Sequence, residues 1–207
     1  AYNCGGCNHS CVDSLCIDGA CASSAIATKQ SSPVGLVLDS SFVYWTDVRA
    51  DSLMKVSQSG GSSPEQLSDV GAIGPLALDP SGSNLYWATG ISISKIKTSG
   101  GYGETLVSNE NAVTAIAADS SHVYWLRQGS WEGSVYKKNG EVVRVPVAGG
   151  SASVVVSGQS FPTSLVVDSG SVFWTTRGVA TAAPFDGTVM RSTNGSSVPT
   201  TLAEQQP

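Results

Sequence analysis

The sequence predicts an all-β protein: a β-propeller of four-stranded antiparallel blades, four repeats per chain, with a small disulfide-rich N-terminal segment. Three observations carry this. An aromatic–Trp pair recurs at Tyr44-Trp45, Tyr86-Trp87, Tyr124-Trp125 and Phe173-Trp174. Each pair follows an apolar run closed by aspartate, such as Leu76-Ala77-Leu78-Asp79 and Leu165-Val166-Val167-Asp168. The tryptophans at 45, 87, 125 and 174 lie 42, 38 and 49 residues apart. A strand-like period of roughly 40 residues is the mark of stacked blades rather than of a single-copy enzyme fold.

Residues 1–24 read as a cysteine-rich knot and linker. All five cysteines, Cys4, Cys7, Cys11, Cys16 and Cys21, fall here and none in the repeats. The short loops between them suit disulfide cross-links, and hence an oxidising compartment. Five is odd, which leaves one thiol free or paired elsewhere. The competing reading is a metal site, because Cys4-Gly5-Gly6-Cys7 with His9 and Cys11 offers thiolates at zinc-like spacing. A second well-spaced Cys/His pair is missing, so no metal and no cofactor is expected. The chain opens at Ala1 directly before this cluster, as expected of a processed N-terminus.

Residues 25–207 hold the repeats, at about 33–72, 73–112, 113–160 and 161–204. Ala25 to Gln30 resembles the segments that close the later repeats, Glu104–Ser108, Ser153–Ser157 and Thr200–Glu204, and is expected to form an extra outer strand. Strand A of each repeat is apolar with poor alternation, as a strand covered on both faces should be. The aspartates that end it, Asp39, Asp79, Asp119 and Asp168, open the A–B turn, where a carboxylate accepts a backbone N–H two residues on. A calcium ring is the alternative, but calcium takes six to eight oxygens from a compact loop with alternating acids. In strand B successive side chains point to opposite faces, so Trp45, Trp87, Trp125 and Trp174 each give one large ring to a neighbouring blade. Strand C carries one cation per copy (Lys55, Lys95, Arg144, Arg191), expected to be solvated or paired with a turn carboxylate. It ends in a hairpin turn at Gly60-Gly61, Gly100-Gly101, Gly149-Gly150 or Asn194-Gly195.

The literal Tyr44-Trp45-Thr46-Asp47 and the aromatic–Trp period resemble the YWTD propeller repeats of lipoprotein-receptor ectodomains. The glycine-glycine punctuation and the cysteine-rich leader are closer in look to repeats of secreted bacterial surface proteins. The resemblance runs from Ala25 to the C-terminus and implies a propeller with a binding role outside the cell. Two departures stand out. Later copies read Tyr86-Trp87-Ala88-Thr89, Tyr124-Trp125-Leu126-Arg127 and Phe173-Trp174-Thr175-Thr176, and the family uses six blades where four are found here. Four copies can close as a small ring, join a second chain, or stay an open arc. The spare segment Ala25–Gln30 would then serve self-association by strand addition.

Function is expected where the copies differ. From the strand-B Trp to the strand-C cation the separations are 10, 8, 19 and 17 residues (45 to 55, 87 to 95, 125 to 144, 174 to 191), so copies three and four carry insertions on one rim. The third insertion offers Arg127, Trp131, Glu132 and Tyr136; the fourth offers Arg177 and Asp186; Arg49 lies on the corresponding first loop. Exposed aromatics beside an Arg and a Glu suit a glycan or protein ligand. The alternative is that Trp131 and Tyr136 pack on their own loop. Net charge −5 argues against nucleic acid or an anionic membrane surface as partner. No apolar run reaches the roughly 20 residues of a membrane helix. Catalytic signatures are missing, and His122 fills a turn position. The expectation is therefore a secreted or cell-surface binding module that is not an enzyme. A self-assembling ring or filament protein and a propeller hydrolase or lyase are the alternatives.

Overall fold

The computed structural model describes residues 16–17, 20–21, 25–69, 71, 74–110, 112–133, 135–178, 186–193 and 195–204. Cys4, Cys7 and Cys11 lie outside these, as does most of the knot. β1 (Cys16–Ile17) and β2 (Ala20–Cys21) pair antiparallel with Cys16 opposite Cys21, and Cys21 is disulfide-bonded.

Four meanders of four antiparallel strands follow. Blade 1 comprises β3 (Pro33–Leu38), β4 (Phe42–Asp47), β5 (Ser52–Ser57) and β6 (Glu65–Ser68). Blade 2 comprises β7 (Leu76–Leu78), β8 (Asn84–Ala88), β9 (Ser92–Lys97) and β10 (Glu104–Ser108). Blade 3 begins with β11 (Val113–Ala118) and β12 (His122–Arg127). A two-stranded hairpin, β13 (Trp131–Glu132) and β14 (Val135–Tyr136), interrupts it before β15 (Gly140–Pro146) and β16 (Ser153–Gln159). Blade 4 is β17 (Pro162–Asp168), β18 (Ser171–Thr176), β19 (Thr188–Thr193) and β20 (Thr200–Glu204). The protein is a β-propeller whose inner strands pack in series, β3 on β7, β7 on β11, and β11 on β17.

The aromatic pair makes these contacts. Trp87 packs with Tyr44 and Leu53 of blade 1. Trp125 packs with Tyr86 and Ile93 of blade 2, and Trp174 with Tyr124 and Val142 of blade 3. Trp87, Trp125 and Trp174 therefore face the preceding blade, and Tyr44, Tyr86 and Tyr124 the following one. Gly35 sits where β3 approaches blade 2: a Cβ there would stand 2.9 Å from the Leu76 Cβ and 3.0 Å from the Thr46 hydroxyl, so no larger residue fits.

No comparable packing joins β17 back to β3 among the described residues, and the outer faces of blades 1 and 4 are open to solvent. The chain is thus an open arc, one of the three arrangements the sequence left available. Residues 25–30 do not form the outer strand expected of them. A strand needs a neighbour to satisfy its N–H and C=O groups, and no strand C of a preceding blade lies beside them among the described residues.

Arg191 is exposed, as a solvated cation would be, whereas the two strand-C lysines pair with acids other than the turn aspartates. Lys55 pairs with Glu65, and Lys95 with Glu104, each at 3.5 Å across the C–D ladder. Being directly opposite, these pairs join residues the ladder already brings together.

The two kinds of face give a stability contrast. Ile93→Ala, at a fully buried inter-blade position, is expected to cost ~2–5 kcal/mol of unfolding free energy by urea titration, whereas Leu36→Ala on the open face should stay within ~1 kcal/mol. Equal losses would mean that the blade 1 face is not open.

Candidate binding rim

The Tyr44-Trp45-Thr46-Asp47 tetrapeptide is a set of four tethers. The Tyr44 hydroxyl donates to Asp39 at 2.7 Å, closing over the A–B turn. The Trp45 indole N–H donates to Gln30 at 3.1 Å. The Thr46 hydroxyl donates to the Gly74 carbonyl, on the way into blade 2, at 3.0 Å. Asp47 accepts the N–H groups of Ser31 and Ser32 at 2.7 and 2.8 Å, fixing the entry to its own blade.

The indole tether recurs. Trp125 donates to Glu110 and Trp174 to Gln159, in each case to a side chain 15 residues earlier. The residue just before each acceptor has positive φ: Lys29, Asn109 and Gly158, with Gly71 at the matching place of copy two. That left-handed step turns the chain from one blade into the next and aims the acceptor at the indole.

In copy three an ion pair stands at this tether. Arg127 takes the place of Asp47, and Glu110 the place of Gln30. Glu110 is buried, accepting from Arg127 at 2.6 and 2.8 Å and from Trp125 at 2.9 Å. Glu141 takes another guanidinium N–H at 2.6 Å. The hydrogen bonding of its guanidinium to Glu110 is the largest influence on Arg127 and raises its pKa above the ordinary value, against the opposing effect of burial. Arg127, expected to meet a ligand, is instead held in the blade.

At the turns, Asp39 accepts the N–H groups of Ser41 and Phe42, and Asp119 those of Ser121 and His122, at 2.7–2.8 Å. Asp79 accepts from Ser83 and from the Asn84 side chain. Asp168 takes the Ser169 hydroxyl, in a turn whose Ser169 and Gly170 both have positive φ. Burial alone would raise the Asp39, Asp79 and Asp119 pKa values, but their donors, N–H groups among them, outweigh it and hold them below the ordinary carboxylate value.

The rim insertion of blade 3 folds onto blade 4. Tyr136 is buried at 4% exposure rather than presented to a ligand. Its hydroxyl donates to the Gln128 carbonyl and accepts the Phe161 N–H at 3.0 Å. Gly129, at φ +96°, passes so close to the Tyr136 hydroxyl and Asn139 that a side chain there would collide. Trp131 is 58% exposed and meets Tyr136 and Phe161 edge-on, with centroids 5.4 and 6.1 Å away. Arg177 covers Phe161 at 5.4 Å. Phe161 has φ +58°, a conformation that costs a non-glycine residue ~1–3 kcal/mol and clusters at binding and catalytic sites. Its N–H is held by Tyr136 and its C=O by the Arg177 N–H at 3.0 Å, so the strain is pinned from both sides.

Around this platform Glu132 pairs with Lys137, and Asp186 of blade 4 lies 3.6 Å from Lys138 of blade 3. A groove of about 370 Å³ runs between the two blades, lined by Lys138, Ser160, Thr176, Asp186, Thr188 and Glu204. The Ser160 hydroxyl is buried with no partner among the described residues. Trp131, Glu132, Tyr136, Arg177 and Asp186 thus share one rim. Arg49 stands on the β4–β5 loop of blade 1, exposed and separate. Phe185, in the fourth insertion, lies outside the described residues. Phe161 escaped the sequence reading because it sits in a connector rather than a rim loop, and Glu110 because acceptor and indole are 15 residues apart.

No protein-family model matches the chain, and no curated protein sequence matches it. Solved structures do. The nidogen/laminin complex superposes with a TM-score of 0.67 at 18% identity, over 86% of this chain and 66% of that one. Virginiamycin B lyase from Staphylococcus aureus gives 0.59 at 12% identity, over 87% and 58%. The GH74 enzyme of Niastella koreensis gives 0.60 at 17%, over 80% and 28%. The chain therefore spans less than two thirds of these proteins' length, and at such identities the likeness is one of fold.

Two outcomes are expected from this geometry. Glu110→Ala leaves the Trp125 indole N–H without its acceptor and the Arg127 guanidinium with Glu141 alone, and should cost ~1–3 kcal/mol in urea unfolding. The pair Glu110→Gln with Arg127→Thr, which writes the Gln159/Thr176 arrangement of blade 4 into blade 3, should recover most of it; strict additivity of the two changes would contradict the tether. Asp39, Asp79 and Asp119 have folded-state values below the unfolded one, so their stabilisation is complete above about pH 4 and is lost as pH falls through the lower folded values. Urea midpoints should decline on that acid limb, and Asp39→Asn with Asp119→Asn should flatten it; an unchanged limb would contradict the assignment.

Proposed function

We propose that this chain is a secreted or cell-surface binding module, not an enzyme, which takes a protein or glycan partner on the β12–β15 and β18–β19 rim of blades 3 and 4. The observation that carries this is Trp131. Among the described residues it is the large aromatic of the rim left exposed, and it is backed by buried Tyr136 and by Phe161 under Arg177. A ring presented on a rigid base loses little freedom on binding, and Trp, Tyr and Arg are the residues most enriched at binding hot spots. The charged Glu132, Lys137, Lys138 and Asp186 ring this platform as a polar rim would.

The acids of the region support binding over catalysis. Glu110 and Glu141 are committed to Arg127, Glu132 pairs with Lys137 and Asp186 with Lys138. The similar structures include a protein solved in complex with laminin as well as a lyase, so the preference rests on the rim and not on the fold.

Trp131→Ala should lower capture of the partner, by pull-down or on a glycan array, about tenfold or more. Its exposure means that the unfolding midpoint should not move. Undiminished capture by a folded variant would reject the rim as the binding surface.

A further inference from the structure

The open ends of the arc carry the two complementary halves of an interface the chain makes three times internally. In strand A, the residue opposite the blade Trp is Leu36, Leu76, Ile116 or Leu165. The last three are 7%, 7% and 6% exposed because a preceding blade covers them, whereas Leu36 is 66% exposed. Its neighbours on that face, Val34 and Leu38, are 59% and 61% exposed. At the other end, the strand-C residues Leu53, Ile93 and Val142 are fully buried against the following blade, and the matching Val189 of blade 4 is 36% exposed. Val166, opposite Phe173, is 59% exposed where its counterpart Ala77 is 5%.

Both outer faces are apolar rather than polar. Blade 1 keeps the leucine that receives an aromatic, and blade 4 keeps the aromatic and valines that would meet it.

We propose that blade 1 docks the outer face of blade 4 of a second copy, head to tail, by the same sheet-on-sheet packing that joins blades 1 to 2, 2 to 3 and 3 to 4. Phe173, Val166 and Val189 of one copy cover Val34, Leu36 and Leu38 of the other, at the mouth of the groove of about 590 Å³ between these leucines, Ile26 and Trp45. Internally, Lys95 reaches across to the Val147 carbonyl at 3.3 Å. Arg191 is the equivalent cation of blade 4, so it reaches Gln58 of the second copy. Residues 25–28 have no strand partner among the described residues and run to the free edge of β20 in the incoming blade. The two patches differ, so the contact is heterologous, and each copy keeps one free end for a further copy. This inference does not rest on the rim site.

The test is sedimentation of the full chain with rising concentration. The mass should climb above the 21.2 kDa of one chain. Leu36→Glu and Val166→Glu change exposed residues, so both variants should fold, as circular dichroism would verify. Each alone should stay at one chain. Their equimolar mixture should give a species of two chains and no more, because only one intact pair of faces remains. A wild-type chain that stays monomeric at every concentration overturns the proposal. So does association of either variant with itself, which would mean a different surface.

Discussion

One contact organises this molecule: an indole wedged against the preceding sheet, with its N–H tied to a side chain that leads into its own blade. Burial of the ring supplies the packing energy between blades, and the hydrogen bond sets where the chain must cross from one to the next. The left-handed residue before each acceptor follows from that demand. Lysine and asparagine accept the conformation in copies one and three, whereas glycine serves in copy four. The tether and the wedge act together, since an indole whose N–H lacked a partner in this apolar layer would give back much of what its ring gains.

The same constraint explains where the chain is free to vary. Copy one sets a neutral Gln30 beside Asp47, and copy three places an ion pair at the same two positions, Glu110 against Arg127. The β12–β15 loop leaves from this point, and an anchored base lets it lengthen without loosening the blade. Phe161 belongs to the connector between blades 3 and 4, yet it holds Tyr136 of one insertion and Arg177 of the other. Connector and rim are therefore one structure, and the exposed Trp131 stands on a base that the inter-blade packing keeps rigid.

Much of the fold was legible in the sequence, for a physical reason. Blades repeat, so the aromatic pair and the turn aspartates could be checked against three other copies, and periodicity separated core positions from exceptions. The site was less legible. Arg127 and Tyr136 look like ligand residues in a loop, because the partners that hold them, Glu110 and Phe161, are distant in sequence and outside any repeating pattern. The strand-C lysines were matched to the wrong acids: their partners lie across the C–D ladder, a register that spacing alone does not give. Residues 25–30 read as a strand on composition, yet strand formation depends on a neighbour that the segment itself cannot specify.

The most direct measurement of the wedge is solvent exchange of the five indole N–H protons by NMR. Trp45, Trp125 and Trp174, buried and donating to Gln30, Glu110 and Gln159, should exchange slowly, and fully buried Trp87 with them. Trp131, more than half exposed, should exchange quickly. Exchange of Trp125 or Trp174 as fast as that of Trp131 would contradict the indole tether as the element that joins the blades.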